Sequence, residues 1–221
     1  MPTTNLCVTV QRTDAFLYVL TTSQTLDYRI DFVRFTSNGF VLDTEDAPAS
    51  ALQLPYIAMK GGQYDVGSFA KLTTSTGTQS VTTGFRPAGI FFFTGGKTAA
   101  TTIQDDAQWV MGTAASSLVN GCFWAENRTS VINTDCNRYS APASSAGYRA
   151  IVLATGATTL AEARIDTFDA SGFTLRWVKN DAVATEIHYA AFGNNATGAP
   201  PSDSTSIAAA MEPNFYVRSW K

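Results

Sequence analysis

Short stretches in which apolar and polar residues alternate run along most of this chain. Tyr28, Ile30 and Phe32 share one face of such a stretch, and residues 173–177 repeat the pattern. An alternation of this kind is typical of β-strands with one buried face. The run Ile90–Phe93 is apolar at every position, which predicts a central strand covered on both sides.

These stretches are cut by Gly, Asn, Asp and Pro, as expected for many short strands joined by turns. Only Thr158–Ala163 and Ser206–Glu212 are alanine-rich enough to predict one or two short helices. The sequence therefore predicts an all-β fold, an antiparallel two-sheet β-sandwich or a jelly-roll-like variant of it. The predicted strands are Leu6–Val10, Phe16–Thr22, Tyr28–Phe35, Gly39–Leu42, Leu52–Met59, Ser68–Leu72, Gln79–Thr83, Gly89–Thr94, Gln108–Met111, Gly121–Ala125, Tyr148–Ala154, Ala163–Phe168, Phe173–Val178, Glu186–Phe192 and Phe215–Trp220.

A hairpin pattern occurs twice, and every matched residue is offset by 133 positions. It predicts a strand, a turn in which Gly39 and Gly172 tolerate a positive φ, a second strand, and Tyr-x-Ala on a following strand. We expect the copies, residues 35–58 and 168–191, to occupy pseudo-equivalent places in one sandwich domain spanning 1–221. Two smaller sandwiches, and ordinary strand-turn-strand sequence without a true repeat, are the alternatives. The matches are Phe35, Gly39, Phe40, Leu42, Tyr56 and Ala58 with Phe168, Gly172, Phe173, Leu175, Tyr189 and Ala191.

Charge narrows the classes of function. Only 15% of the residues are charged and the formal net charge is −3, which predicts a neutral surface rich in threonine. Nucleic-acid binding needs clustered Lys and Arg, so no nucleic-acid partner is expected. The sequence has no long apolar run and no signal-peptide pattern, which predicts a soluble protein made in a cytoplasm, with no membrane partner.

Cysteine and histidine offer little chemistry. Cys7, Cys122 and Cys136 lack the Cys-x-x-Cys spacing of zinc and redox sites, so we interpret them as free, largely buried thiols. A Cys122–Cys136 disulfide remains open. The one histidine, His188, lies on a predicted strand, where a surface or interface position is the usual one. We predict no catalytic residues, no metal site and no cofactor.

Two further motifs are interpreted as structural. The segment Gly95–Thr98 resembles the end of a phosphate-binding loop, but Phe91 stands where that loop requires its first glycine. We therefore interpret it as a polar loop after the Phe strand. The carboxylates of Asp105-Asp106, Glu126 and Asp135 are interpreted as solvated charges, and a hydrolase or calcium site built on them is the weakest hypothesis.

Aromatic residues suggest two contact surfaces. Trp124, Asn127, Arg128 and Tyr139, in the loop-rich middle of the chain, are candidate glycan contacts because sugars stack on exposed rings flanked by polar side chains. The C-terminal arm, residues 213–221, predicts a strand that packs on the body or on a neighbouring subunit. Its candidate interface residues are Phe215, Tyr216 and Trp220.

Three motifs carry a resemblance to a known family. Residues 84–90 read Gly-Phe-Arg-Pro-Ala-Gly-Ile, residues 172–177 read Gly-Phe-Thr-Leu-Arg-Trp, and residues 189–193 read Tyr-Ala-Ala-Phe-Gly. They resemble GF-x-P-x-x-(V/I), GF-x-L-x-W and Y-x-A-x-G of a β-sandwich family among tailed-bacteriophage virion structural proteins. The resemblance covers residues 77–193, with an upstream half-copy at 35–62.

The resemblance implies a fold and a virion setting without an active site. We expect a non-enzymatic subunit, either a capsid decoration protein or a tail- or baseplate-associated protein. It would contact other virion proteins and form a homo-oligomer, with a trimer favoured. The alternative is a carbohydrate- or receptor-binding module of a tail fibre or spike that contacts a host-surface glycan.

Overall fold

The structure is a computed structural model of the 221-residue chain. It describes residues 8–9, 15–20, 25–47, 53–59, 62–74, 76–100, 104–127, 134–139, 149–156 and 158–194. This described part of the chain is all-β and contains no helix, which confirms the predicted fold class.

Every pairing between the strands is antiparallel. They are β1 (Val8–Thr9), β2 (Leu17–Leu20), β3 (Leu26–Phe35), β4 (Phe40–Asp46), β5 (Gln63–Ala70), β6 (Gly77–Thr82), β7 (Pro87–Thr94), β8 (Gln104–Asp105), β9 (Ala107–Ala114), β10 (Asn120–Asn127), β11 (Thr134–Tyr139), β12 (Ile151–Thr155), β13 (Thr158–Asp169), β14 (Gly172–Lys179) and β15 (Glu186–Gly193).

Two sheets enclose the core. A six-stranded sheet, in the order β11-β10-β9-β7-β15-β5, faces a four-stranded sheet, in the order β12-β13-β14-β6. Phe92 and Trp124 from the first sheet and Phe173 and Trp177 from the second are all buried in one cluster. The rings of Phe92 and Phe173 meet edge to face across it, with centroids 5.7 Å apart. This is the layer arrangement of a β-sandwich; the jelly-roll variant stays a prediction.

The Phe-rich run is central, but it is covered on one side only. β7 lies inside the six-stranded sheet between β9 and β15, as predicted. Ile90 and Phe92 point into the core and are buried, whereas Phe93 is 40% exposed on the opposite face. The expectation of cover on both sides is therefore wrong, because no second layer lies over this face in the described chain.

Two predicted elements differ from the structure. Thr158–Ala163 is the first half of strand β13, not a helix. Ala161 and Ala163 are completely buried, and Ala163 stands opposite Trp177, so small residues here make room for large neighbours within a sheet. Gln53–Met59, predicted as part of a strand, forms no regular element, and the predicted helix and strand after residue 205 lie outside the described residues.

Strands β2-β3-β4 form a separate three-stranded sheet that copies β12-β13-β14. Hairpins β3–β4 and β13–β14 have the same pairing register, shifted by 133 residues, and the register is interrupted at the same two places. Strand β2 also pairs with β3 as β12 pairs with β13, with one matching interruption. The equivalent pairs include Arg29–Asp46 and Glu162–Lys179, Ile30–Thr44 and Ala163–Trp177, Phe32–Leu42 and Ile165–Leu175, and Phe35–Phe40 and Phe168–Phe173.

We call β2–β4 with residues 53–59 the first repeat, and β12–β14 with β15 the second repeat. Tyr56 lies edge-on against Phe40 with ring centroids 5.0 Å apart. The equivalent pair in the second repeat, Tyr189 and Phe173, has the same geometry at 5.5 Å. The sequence match thus extends to the backbone pairing and to one tertiary contact.

The repeats differ in what covers them. β15 pairs on both edges, with β5 and β7, whereas residues 53–59 pair with no strand of the described chain. Six inward positions of the second repeat are at most 1% exposed, and none of their equivalents in the first repeat is buried. These positions are Ala161, Ala163, Ile165, Phe173, Leu175 and Trp177, equivalent to Tyr28, Ile30, Phe32, Phe40, Leu42 and Thr44.

The turn glycines of the repeat act differently from the prediction. Positive φ values among the described glycines occur at Gly62, Gly84, Gly96 and Gly156, and neither Gly39 nor Gly172 is among them. A Cβ at Gly172 would instead collide with the carbonyl oxygen of Val81 in β6. Close approach of a neighbouring strand, rather than a left-handed turn, is what requires glycine at position 172.

Candidate functional site

Trp124, the tryptophan among the predicted glycan contacts, is buried and cannot stack on a sugar. Trp124 is 1% exposed, and its side chain points into the core beside its cross-strand neighbour Val110. Successive residues of a strand face opposite sides, so Phe123 is the aromatic residue of β10 that reaches solvent. The sequence could not show which of the two adjacent rings points outward, and the expected contact at Trp124 is corrected.

The other predicted contacts remain predictions. Asn127 pairs through its backbone with Ala107, and Tyr139 stands opposite Cys122 in β11, but the side chains of Asn127 and Tyr139 lie outside the described part. Arg128 and the C-terminal residues also lie outside it; the latter are Phe215, Tyr216 and Trp220.

Burial shifts the pKa values of Cys122 and His188. Burial raises the pKa of the Cys122 thiol to about 12, and Glu162 adds to the shift, while a backbone hydrogen bond at Val152 opposes it. Cys122 is a free thiol that stays protonated. Burial also lowers the pKa of His188, against a smaller opposing effect of Glu186. A protonated thiol is a poor nucleophile, which fits a packing role for Cys122.

Of the acidic residues weighed for a catalytic or calcium site, Glu126 is buried, so its interpretation as a solvated charge is wrong, and its backbone stands opposite that of Asp135 on β11. Glu126 is 1% exposed and accepts a hydrogen bond from the backbone N–H of Gly156 at 2.7 Å. Gln108 approaches its other oxygen at 3.5 Å. Asp106 sits at the turn between β8 and β9 with a φ of 67°. Among the described side chains, no group of three His, Cys, Asp or Glu residues could hold a metal ion.

The glycine-rich segment Gly95–Thr98 is a structural loop, as the sequence indicates. Gly96 has a φ of 71°, and its N–H donates to the hydroxyl of Thr94 at 3.0 Å. The carbonyl of Lys97 accepts the backbone N–H of Glu186 at 2.9 Å. The loop therefore anchors the start of β15 beside the end of β7.

A shallow depression lies beside the β13–β14 hairpin. Its lining includes Arg86, Asp166 and Phe168. Arg176 binds the Asp166 carboxylate through two hydrogen bonds of 2.9 Å, and this partner lowers the pKa of that carboxyl. The carboxylate of the depression is thus already paired within the chain.

Two apolar surfaces stand out instead. The first, here called the outer face, lies on the side of the six-stranded sheet opposite the core. Phe93, Met111 and Phe123 are direct cross-strand neighbours on β7, β9 and β10, and Trp109 lies two residues from Met111. Trp109 is 56% exposed and Met111 51%. Rings of this size on three paired strands form a continuous apolar patch of the kind that marks an interaction site.

The second surface, here called the first-repeat face, is the uncovered side of β2-β3-β4. Phe32 is 42% exposed and Phe35 is 76% exposed, and their rings touch at 4.7 Å between centroids. The opposite side of the same sheet is charged: Arg29 pairs with Asp31 at 2.9 Å and with Glu45 at 3.1 Å. The residues of the first-repeat face are Tyr28, Ile30, Phe32, Phe35, Phe40 and Leu42.

Comparison with known proteins finds no matching family model, no matching curated protein and no matching solved structure. No helix of the described chain has the length and apolarity needed to cross a membrane. The resemblance to phage virion proteins therefore rests on the sequence motifs.

Proposed function

We propose that this chain is a non-enzymatic structural subunit of a tailed-phage virion, either a capsid decoration protein or a tail- or baseplate-associated protein. It assembles with copies of itself, as a trimer or another small ring, and with other virion proteins.

The observation that carries the proposal is the pair of uncovered apolar surfaces, the outer face and the first-repeat face. Both are built on hydrogen-bonded strands, so their side chains are held in place before any partner arrives. Removing apolar area from water drives association in proportion to that area and needs no charged partner. A low charge content is favourable for such contacts, because charged residues are depleted at interface centres.

The motifs behind the phage resemblance support a structural role. Gly84-Phe85 precedes β7, the Phe-x-Leu-x-Trp motif lies on β14, and Tyr189 lies on β15. Phe173, Leu175, Trp177 and Tyr189 all belong to the core between the two sheets. These residues build the sandwich, which fits a family that shares a scaffold rather than an active site.

The proposal is tested on particles. Phage particles produced from the genome that encodes this chain are purified by density gradient, and the chain is quantified against the major capsid protein by mass spectrometry. A fixed copy number per particle that survives repeated gradients supports the proposal. Recovery of the chain only in the soluble fraction, with purified particles lacking it, would contradict it.

A further inference from the structure

The second repeat shows what a three-stranded unit of this kind covers. β12 packs over β9 and β10, and β13 packs over β7, all on the inner face of the six-stranded sheet. Phe173 meets Phe92 at the centre of this contact. The outer face is the other side of the same three strands, β7, β9 and β10. A twisted sheet accepts an aligned partner sheet on either side, so the outer face suits a unit of the same shape.

The first repeat is such a unit without its cover. It has the strand register of β12–β14, and the positions that should face a sheet are apolar at five of six places. Within residues 53–59, Tyr56 rests on Phe40 of the edge strand β4. Phe32 and Phe35 on β3 remain open.

Both surfaces expose apolar area of the same order. A whole aromatic side chain buries about 150–250 Å², so the exposed fractions of the four large residues on the outer face leave roughly 400 Å² of apolar area. On the first-repeat face, Phe32 and Phe35 leave roughly 250 Å², and the half-buried apolar residues add to it. Since about 57% of an ordinary interface is apolar, the apolar area of the outer face corresponds to roughly 700 Å² per partner. A stable protein–protein contact buries about 800 Å² per partner. The surfaces are therefore large enough to hold two copies together.

From these observations we infer that the first-repeat face of one copy packs on the outer face of a second copy, head to tail. The inference rests on the proposed self-assembly and names its surfaces. Both surfaces are exposed in the described part of the chain, and the contact we infer joins two chains. A face-to-face pairing of two first repeats would leave both outer faces uncovered. The head-to-tail contact covers every patch with one interface, and it gives a closed ring such as a trimer when the rotation between successive copies closes.

The experiment uses two full-length variants with a carboxylate in one surface each, Phe32→Asp and Met111→Asp. Masses are measured by light scattering after size exclusion. Each variant alone should be a monomer of 23.7 kDa. An equimolar mixture should form a dimer of twice 23.7 kDa, because the intact first-repeat face of the Met111 variant meets the intact outer face of the Phe32 variant.

Two matched controls accompany the variants. Val33→Asp adds a carboxylate beside Phe32 at the position where the second repeat carries Asp166, and Leu118→Asp adds one to an exposed apolar residue of the β9–β10 loop. Both should keep the wild-type mass. Circular dichroism checks the fold, and Phe32→Ser and Met111→Ser replace any variant that unfolds.

The outcomes separate this inference from the proposed function. A Met111→Asp chain that keeps the wild-type mass, or a mixture that stays monomeric while the wild type is oligomeric, overturns the head-to-tail contact but leaves self-assembly standing. Dissociation by Val33→Asp as complete as that by Phe32→Asp also overturns it. A wild-type chain that is monomeric throughout contradicts both.

Discussion

At the scale of single residues, the two hairpins place matching residues in different surroundings. Gly172 is packed under the carbonyl of Val81, whereas the nearest atom to a Cβ at Gly39 would be the Thr36 hydroxyl at 3.7 Å. The two glycines match in sequence, but a neighbouring strand, β6, lies only beside Gly172. The same residue is therefore required in one repeat and free to change in the other.

This contrast gives a paired prediction. Gly172→Ala should destabilise the protein by about 1–3 kcal/mol, because the added methyl forces β6 and β14 apart. Gly39→Ala should change stability by less than about 0.5 kcal/mol. Urea unfolding followed by tryptophan fluorescence measures both. Equal losses would show that β6 does not approach Gly172 as closely as the structure places it.

The buried Cys122 thiol should make the free energy of unfolding depend on pH at alkaline pH. Its pKa is raised by burial from an ordinary value of 9.0 to about 12, so the folded state favours the neutral thiol. The stability this adds is complete below pH 9 and is lost as the pH rises towards 12, because only the unfolded chain releases the proton in that window. We expect the unfolding free energy of the wild type, relative to Cys122→Ala, to fall by about 1.4 kcal/mol per pH unit above 9.

Unfolding curves at pH 8 and pH 10, in a chain with Cys7→Ser and Cys136→Ser, test this. A difference between the wild-type and alanine chains that does not change with pH would mean that the thiol titrates normally in the fold. Labelling by a thiol reagent at pH 8 should likewise require unfolding.

At the scale of elements, a buried lysine joins β5 to the segment between β14 and β15. The Lys71 ammonium is fully enclosed, and it binds the Asp181 carboxylate at 2.8 Å and the Asn180 side chain at 2.6 Å. It also lies 5.7 Å from the centre of the Trp177 ring. A buried ammonium must keep its counter-charge, so this contact holds the two sheets in place at one end of the core.

Asp181→Ala should cost about 3 kcal/mol, the lower end of the range for breaking a buried pair, because Lys71 keeps its other acceptors. Asp166→Ala removes the partner of the exposed Arg176 and should cost much less. Thermal unfolding of both variants measures the difference. A loss from Asp181→Ala no larger than that from Asp166→Ala would contradict the buried position of Lys71.

The sequence pattern predicts strands well where buried and exposed residues alternate. It predicts them poorly where packing against distant parts of the chain determines the structure. β14 and β15 were predicted almost to their ends, because Phe173, Leu175 and Trp177 face one core. The helix predicted at Thr158–Ala163 is wrong. Alanine favours helices, but in this strand the small Ala163 side chain leaves room for Trp177 opposite it. The strand predicted over residues 53–59 is wrong for another reason. A strand needs a hydrogen-bonded neighbouring strand, and the sequence of the segment does not show whether such a neighbour is present.

The candidate surfaces could be predicted only in part. Alternation places Phe91 and Phe93 on one face of β7, but which face lies under the second sheet depends on the fold. The duplicated register interruptions carry no sequence signature, since a bulge follows from strand geometry more than from residue type. The sequence repeat nevertheless predicts that the two hairpins are equivalent.

At the scale of the whole molecule, the described residues form a sandwich and a second copy of three of its strands that no other described strand covers. The second repeat buries its inward side chains within the chain, and the first repeat exposes the equivalent ones. Exposed apolar sheet faces favour association, and a closed ring leaves none of them open. Assembly on a virion is the setting that the sequence motifs suggest for such a subunit.

The proposed function requires that these apolar surfaces hold copies of the chain together. Sedimentation equilibrium of the wild-type chain, from about 1 µM to about 100 µM and at low and high salt, tests it most directly. We predict a small multiple of 23.7 kDa that high salt does not dissociate, because apolar contacts are not screened. A mass of 23.7 kDa at every concentration would contradict the account.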